Sequence, residues 1–307
     1  MRPELTAVRR RFRGSVPGNV SAMPLESTDA SAAGSIVLDR DLEVRRLGFG
    51  AMRITGPGIW GPPSDPAGAR ELLRRAVELG ITFIDTADAY GPAVSEELIA
   101  EALHPYPDEL VIATKGGLRR SGPGQWERDC SPEHLREACD GSLGRLRVDR
   151  IDVYQLHAVD PKVPLEESVG ALAELRNQGK VAHVGLSNVG LKELERARRI
   201  VPVVSVQNRY SLADRGSERV VDRCERDGLA FIPWFPLAAG NVDRDAALRR
   251  VATAHGVSEF QVALAWLLAR SPAMLPIPGT SSIEHLEENV AAAALRLSDA
   301  EVAGLGG

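Results

Sequence analysis

Short apolar runs recur along the chain at near-regular intervals, at residues 82–84, 110–113, 151–156, 181–186, 203–206, 229–232 and 274–277. They are short, unbroken and rich in Val, Ile and Leu, a pattern that predicts parallel strands buried on both faces. The stretches between them carry helical spacing instead. In residues 66–79, Leu72, Leu73, Ala76 and Val77 share one face, Asp65 can cap the start, Pro66 fits the first turn and Gly80 suits the left-handed stop. Ser131-Pro132 and residues 164–179 repeat the device. With residues 47–52 placed before the first helix, the pattern predicts eight strands. Eight strand–helix units in the 272 residues from 36 to 307 predict an α/β fold, a single (β/α)8 TIM barrel, for which about 250 residues is typical. Residues 36–38 and 42–44, separated by Asp39-Arg40-Asp41, predict an antiparallel hairpin that plugs the barrel's N-terminal end.

The rival is a doubly wound nucleotide-binding sheet, and its fingerprint is missing. Gly48-Phe49-Gly50-Ala51-Met52-Arg53 puts Arg where the third Gly of G-x-G-x-x-G belongs, and no other segment does better. Residues 1–35 differ from the rest: five arginines are followed by a Ser/Ala/Gly/Pro mixture with no apolar run, which reads as a flexible basic leader, disordered ahead of a domain at 36–307. Charge and hydropathy narrow the function classes. The 37 basic against 42 acidic residues give a net charge of -5, which argues against a nucleic-acid partner, and no apolar stretch approaches a membrane span. Three cysteines with no C-x-x-C pair suit a reducing cytoplasm and buried thiols. Cys130, His134 and Cys139 cluster near one helix with no fourth ligand, so no metal is expected.

In a barrel the chemistry is built at the C-terminal strand ends. There the sequence places Asp85 after Phe83-Ile84, Tyr90 in the next loop, Lys115 after residues 111–114, and His157 after Tyr154-Gln155-Leu156. Each alone has an ordinary reading, as helix cap, loop anchor, solvated lysine or core histidine. Four reactive groups on three consecutive strand ends are harder to explain by structure alone. An ammonium beside a phenol favours the phenolate, so Lys115 lowers the pKa of Tyr90 from about 10 and readies it as general acid. Asp85 would keep Lys115 charged, and His157 would donate a hydrogen bond to a carbonyl oxygen. Such a set suits carbonyl reduction. No side chain supplies a hydride, so a nicotinamide cofactor is implied.

At this point the chain resembles the aldo-keto reductase superfamily over roughly residues 47–289. The motifs are Phe83-Ile84-Asp85-Thr86-Ala87 with Tyr90-Gly91, Ala113-Thr114-Lys115, Gln155-Leu156-His157, Gly185-Leu186-Ser187-Asn188, Val206-Gln207-Asn208, Phe235-Pro236-Leu237, and Ile277-Pro278-Gly279-Thr280 with Leu286-Glu287-Glu288-Asn289. The resemblance implies a TIM barrel with a catalytic tetrad of Asp85, Tyr90, Lys115 and His157. It also implies that Ser187, Asn188 and Gln207 hold the nicotinamide carboxamide and that Trp234 stacks on its ring. The remaining cofactor contacts it implies are Gly50, Met52, Asp85, Pro236, Leu237, Ile277, Gly279, Thr280, Ser281, Ser282, Glu287, Glu288 and Asn289. Many relatives carry Lys or Arg where this chain has Ser281 and Ser282. Helix-terminal amides and two hydroxyls still suit a phosphate, so NADPH is expected ahead of NADH.

The segments at 47–63, 103–107 and 235–240 look like the bacterial pyridoxal reductase branch, which suggests a compact aromatic aldehyde lined by Met52, Ile59, Trp60 and Trp126. The competing readings are a ketone or sugar intermediate of secondary metabolism as substrate, or a redox-sensing subunit that binds the cofactor without turnover. A complete tetrad favours the enzyme.

Overall fold

The computed structural model describes residues 29–40, 42–236 and 246–306. Two small hairpins stand apart from the main sheet. The first pairs β1 (Ser35–Asp39) antiparallel with β2 (Leu42–Arg45), and the backbone N–H of Arg45 donates to Thr82 Oγ1 at 2.9 Å. Leu38 and Val44 thereby join Phe83, Val111, Val153, Val204, Ile232 and Leu275 in the cluster that fills the barrel. This is the predicted plug. It closes the N-terminal end and leaves the opposite end for chemistry.

The main sheet runs β3 (Phe49–Gly50), β4 (Phe83–Asp85), β5 (Val111–Gly116), β8 (Ile151–Leu156), β9 (Val181–Ser187), β10 (Val203–Arg209) and β11 (Ala230–Trp234), all parallel. The eighth position is taken by residues 274–278. They never form a continuous strand, because Pro276 and Pro278 have no N–H to donate. Their remaining groups still bond to both neighbours: Leu275 N donates to Phe231 O at 2.9 Å, while Pro276 O and Pro278 O accept from Gly48 N at 2.9 Å and Gly50 N at 3.4 Å. The barrel closes through these bonds.

Helices α1 (Pro66–Glu78), α2 (Val94–Leu103), α3 (Pro132–Leu146), α4 (Leu165–Asn177), α5 (Leu191–Arg198) and α6 (Glu218–Asp227) each join successive barrel strands. Two helices, α7 (Ala246–His255) and α8 (Glu259–Arg270), precede the eighth position, and α9 (Ile283–Ala291) and α10 (Asp299–Leu305) follow it. The end signals act as expected. Asp65 Oδ1 accepts from Gly68 N, Ser131 Oγ from His134 N, and Gly80 has φ of 80°. The second hairpin, β6 (Leu118–Gly122) with β7 (Gln125–Arg128), is inserted after β5 on the catalytic side. The sequence pattern did not announce it. Among the described residues no helix is long and apolar enough to cross a membrane.

The leader expectation is corrected at its C-terminal end. Residues 1–28 lie outside the described residues, but Ala30–Ala33 form a 3-10 turn with Ala30 fully buried beside Leu79. Asp29 pairs with Arg45 at 3.2 Å, and Ala32 O accepts from Arg296 at 2.7 Å. Small residues hide this packing from a composition reading. A chain truncated through Ser35 should therefore be less stable than one truncated through residue 28 by at least about 1–2 kcal/mol, several degrees in Tm. Coincident melting curves for the two would contradict the docking.

Candidate active site

A cavity of about 340 Å³ opens at the C-terminal ends of the strands. Part of its lining is closely packed backbone. A β-carbon on Gly50 would stand 2.6 Å from Ile277 O, and one on Gly279 would stand 2.6 Å from Gly50 O, so both positions need glycine for the two chain segments to meet. Met52, Asp85, Tyr90, Gln207, Trp234, Pro236, Ile277, Thr280, Glu288 and Asn289 are among the side chains that line it.

The four expected catalytic side chains are together. Lys115 is fully buried, and its ammonium donates to Asp85 Oδ2 at 2.6 Å, Thr86 O at 2.8 Å and Tyr90 Oη at 3.5 Å. The His157 ring meets the Tyr90 ring edge-on at 5.9 Å. Asp85 carries more than the lysine, because Gln155 and Gln207 both donate their side-chain amides to Oδ1, at 3.0 and 2.7 Å. Gln155 was visible in the sequence only as part of a motif. Its role depends on the next barrel strand standing beside β5, which no local pattern reveals.

Burial changes the electrostatics in one respect. It pushes the Tyr90 hydroxyl above its ordinary pKa, and the opposing pull of Lys115 does not overcome it. The expected lowering is thus only a contribution, and Tyr90 holds its proton at neutral pH. For Lys115, burial works against the charge, but Asp85 and Tyr90 together raise its pKa above the usual value. His157 is driven well below the histidine range by burial and then by Lys115. It is neutral at pH 7 and can donate only from an N–H, whereas Tyr90 is left as the group with a proton to give.

Beneath the tetrad, the fully buried Glu96 accepts from Arg145 Nε at 2.7 Å and from Thr114 Oγ1. Nearby, Asp88 has its carboxyl pushed up to about 8, by burial first and then by Glu96, and its buried Oδ1 has no partner. A carboxyl with a raised folded-state pKa stabilises fully below its unfolded value. That contribution is lost as pH climbs from 3.8 through about 8, because the unfolded chain ionises first. Asp88→Asn should therefore be more stable than wild type by at least about 1 kcal/mol above pH 8, with the advantage vanishing near pH 4. Denaturant midpoints measured across that range check the sign, and a constant difference would contradict it.

Several expected cofactor residues lie elsewhere than on the cavity wall. Asn188, left-handed with φ of 58°, is not on that wall; its Oδ1 accepts from Trp234 Nε1 at 3.1 Å and its Nδ2 donates to His157 O and Ser187 Oγ at 3.0 Å each. Ser187 and Asn188 thus hold the indole of Trp234, which itself lines the cavity. Ser282 caps α9, its Oγ accepting from His285 N, and neither it nor Ser281 lines the cavity. Glu287 is turned to α1, where Arg75 holds it at 2.7 Å. Leu237 lies outside the described residues. Ile59, Trp60 and Trp126 lie off this wall too, although Trp126 meets Tyr90 and His157 edge-on, both at 6.4 Å. Conversely, Arg53, Phe235, Phe260, Pro278 and His285 line the cavity without having been expected. Arg53 was legible only as the residue that spoils a glycine fingerprint.

A (β/α)8 barrel with a buried Asp–Lys pair under a protonated tyrosine at its mouth is the framework of a nicotinamide-dependent oxidoreductase. The chain belongs to the aldo/keto reductase family, which it matches over residues 46–306. It is 49% identical over 273 residues to an oxidoreductase of Schizosaccharomyces pombe, covering 89% of each chain. To pyridoxine 4-dehydrogenase of Escherichia coli it is 45% identical over 270 residues, covering 86% of this chain and 94% of that one. Among solved structures, an aldo/keto reductase from Klebsiella pneumoniae in complex with NADP and acetate superposes with a TM-score of 0.75 at 29% identity, over 88% of this chain and 93% of that one.

Proposed function

We propose that the protein is an NADPH-dependent carbonyl reductase acting on a compact aromatic aldehyde, with pyridoxal as the first candidate. The carrying observation is Lys115 Nζ, held at 2.6 Å from Asp85 and 3.5 Å from Tyr90 beside the cavity. Tyr90 gives its proton to the carbonyl oxygen, and the tyrosinate left behind is neutralised by the Lys115 ammonium until solvent reprotonates it. Asp85, bound by two amides and an ammonium, keeps that ammonium charged. Neutral His157 donates a hydrogen bond that orients the carbonyl beside Tyr90. When bound, the reduced nicotinamide supplies the hydride that no side chain can. The 45% identity to pyridoxine 4-dehydrogenase supports the pyridoxal choice.

The residues present fit the cofactor. Trp234 offers an indole on the cavity wall, and Gln207, whose amide N–H is used on Asp85, keeps its carbonyl oxygen to accept from a carboxamide. Arg53, with its guanidinium, and His285, with its imidazole, line the same cavity and offer donors for a 2′-phosphate alongside the N-terminus of α9 that Ser282 caps. Arg53→Ala and His285→Ala should each weaken NADPH binding by about tenfold while changing NADH binding much less. Titration of both cofactors checks this, and equal losses for the two would contradict it. The test of the function is oxidation of NADPH by the purified protein over a panel of aldehydes and ketones that includes pyridoxal. Absence of turnover with every member, with NADPH demonstrably bound, would overturn the reading.

A further inference from the structure

Arg120, on β6 of the inserted hairpin, uses every N–H it has on backbone carbonyls. Nε donates to Gln125 O at 2.8 Å, Nη1 to Ile59 O at 2.7 Å and Ala89 O at 2.9 Å, and Nη2 to Gly58 O at 2.9 Å and Gly122 O at 3.3 Å. A guanidinium has five such donors, so none is left for a ligand. The acceptors belong to three separate segments: the hairpin itself, the loop after β3, and the residue just before Tyr90.

The same guanidinium lies 3.7 Å from the ring centroid of Trp126 and 5.7 Å from that of Trp60. Trp126 in turn meets Tyr90 and His157 edge-on, and it stays 38% exposed, so surface is left over for a substrate. A second feature marks the place as held under tension. Ile59, whose carbonyl receives the shortest of the five bonds, has φ of 55°, a left-handed conformation that a β-branched side chain strongly resists. Strain of that kind persists only where the surroundings impose it. The bonds from Gly124 N to Gly58 O and from Gly61 N to Gly91 O tie the same loop to the hairpin on one side and to the segment after Tyr90 on the other.

We infer that Arg120 is a positioning residue that sets specificity for planar aromatic carbonyl substrates, by holding Trp126 and the Ile59 turn in fixed register with Tyr90. The inference rests on the reductase reading. A planar ring gains from an indole held rigidly in place, since the ordering has been done before it binds. A small aliphatic aldehyde reaches Tyr90 without spanning that wall. Lysine cannot substitute, because one ammonium has three donors and no planar face to lay on an indole.

The test compares wild type, Arg120→Lys and Arg120→Ala as full chains, measuring NADPH affinity and kcat/KM for pyridoxal and benzaldehyde against propanal. In both variants the ratio of aromatic to aliphatic kcat/KM should fall at least about tenfold while NADPH affinity holds. A ratio restored by lysine would overturn the inference. So would equal losses on both substrate classes together with weakened cofactor binding, which is what general loosening produces. Should wild type reduce neither class, the reductase reading fails by itself, and the clamp is read from acrylamide quenching of tryptophan emission. Quenching should rise in both variants, and unchanged quenching would overturn the clamp.

Discussion

Tyr90→Phe should bind NADPH within about twofold of wild type and reduce carbonyls at least about a hundredfold more slowly, the usual loss when a general acid is removed. The change deletes one oxygen. The ring stays, with its edge contacts to Trp126 and His157 and its place 5.1 Å from the Lys115 ammonium, so the walls of the site survive. What disappears is the proton. His157 cannot replace it, because burial and Lys115 keep the imidazole neutral, and Lys115 is engaged with Asp85 and Thr86. The pH dependence gives a second readout. With its pKa raised by burial, Tyr90 stays protonated across the neutral range, so reduction by wild type should fall only on the alkaline side. The residual rate of the phenylalanine variant should lack that alkaline limb. A variant that turns over normally would remove Tyr90 from its role.

Why so much of the fold was legible is a matter of local periodicity. Strands buried on both faces read as plain apolar runs, and residues 151–156 mark β8 to the residue. Helix ends were legible because Asp65, Ser131 and Gly80 act on neighbouring backbone. The tetrad was legible for the same reason, each member standing at or just beyond a strand end. What escaped depends on contacts between distant segments. The β6–β7 hairpin has polar residues and exposed faces, so no apolar alternation announces it. Residues 29–35 look like a linker because Ala and Ser dock without a conspicuous side chain. Arg53, in the turn after β3, and His285, in the first turn of α9, line one cavity although no local pattern joins the two segments. Gln155 and Gln207 converge on one carboxylate oxygen across 52 residues of sequence and three neighbouring strands.

Lys115→Met should cost both activity and stability, and a double variant separates the two. The single change leaves the Asp85 carboxylate in the barrel, with side-chain exposure of 3%, facing a thioether where an ammonium stood. Breaking one partner of a buried ion pair typically costs about 3–5 kcal/mol, because the remaining charge is desolvated without compensation. The amides of Gln155 and Gln207 still reach Oδ1, so the lower part of that range is expected here. Carbonyl reduction should fall by at least about a hundredfold, since the tyrosinate formed at Tyr90 then has no cation beside it. Pairing the change with Asp85→Asn removes the orphaned charge. The double variant should recover most of the lost stability, because replacing both members of a buried pair is often nearly neutral. It should recover none of the activity. Denaturant midpoints and single-turnover rates on the two variants distinguish these outcomes. Activity returning together with stability would mean that the ion pair serves only the fold.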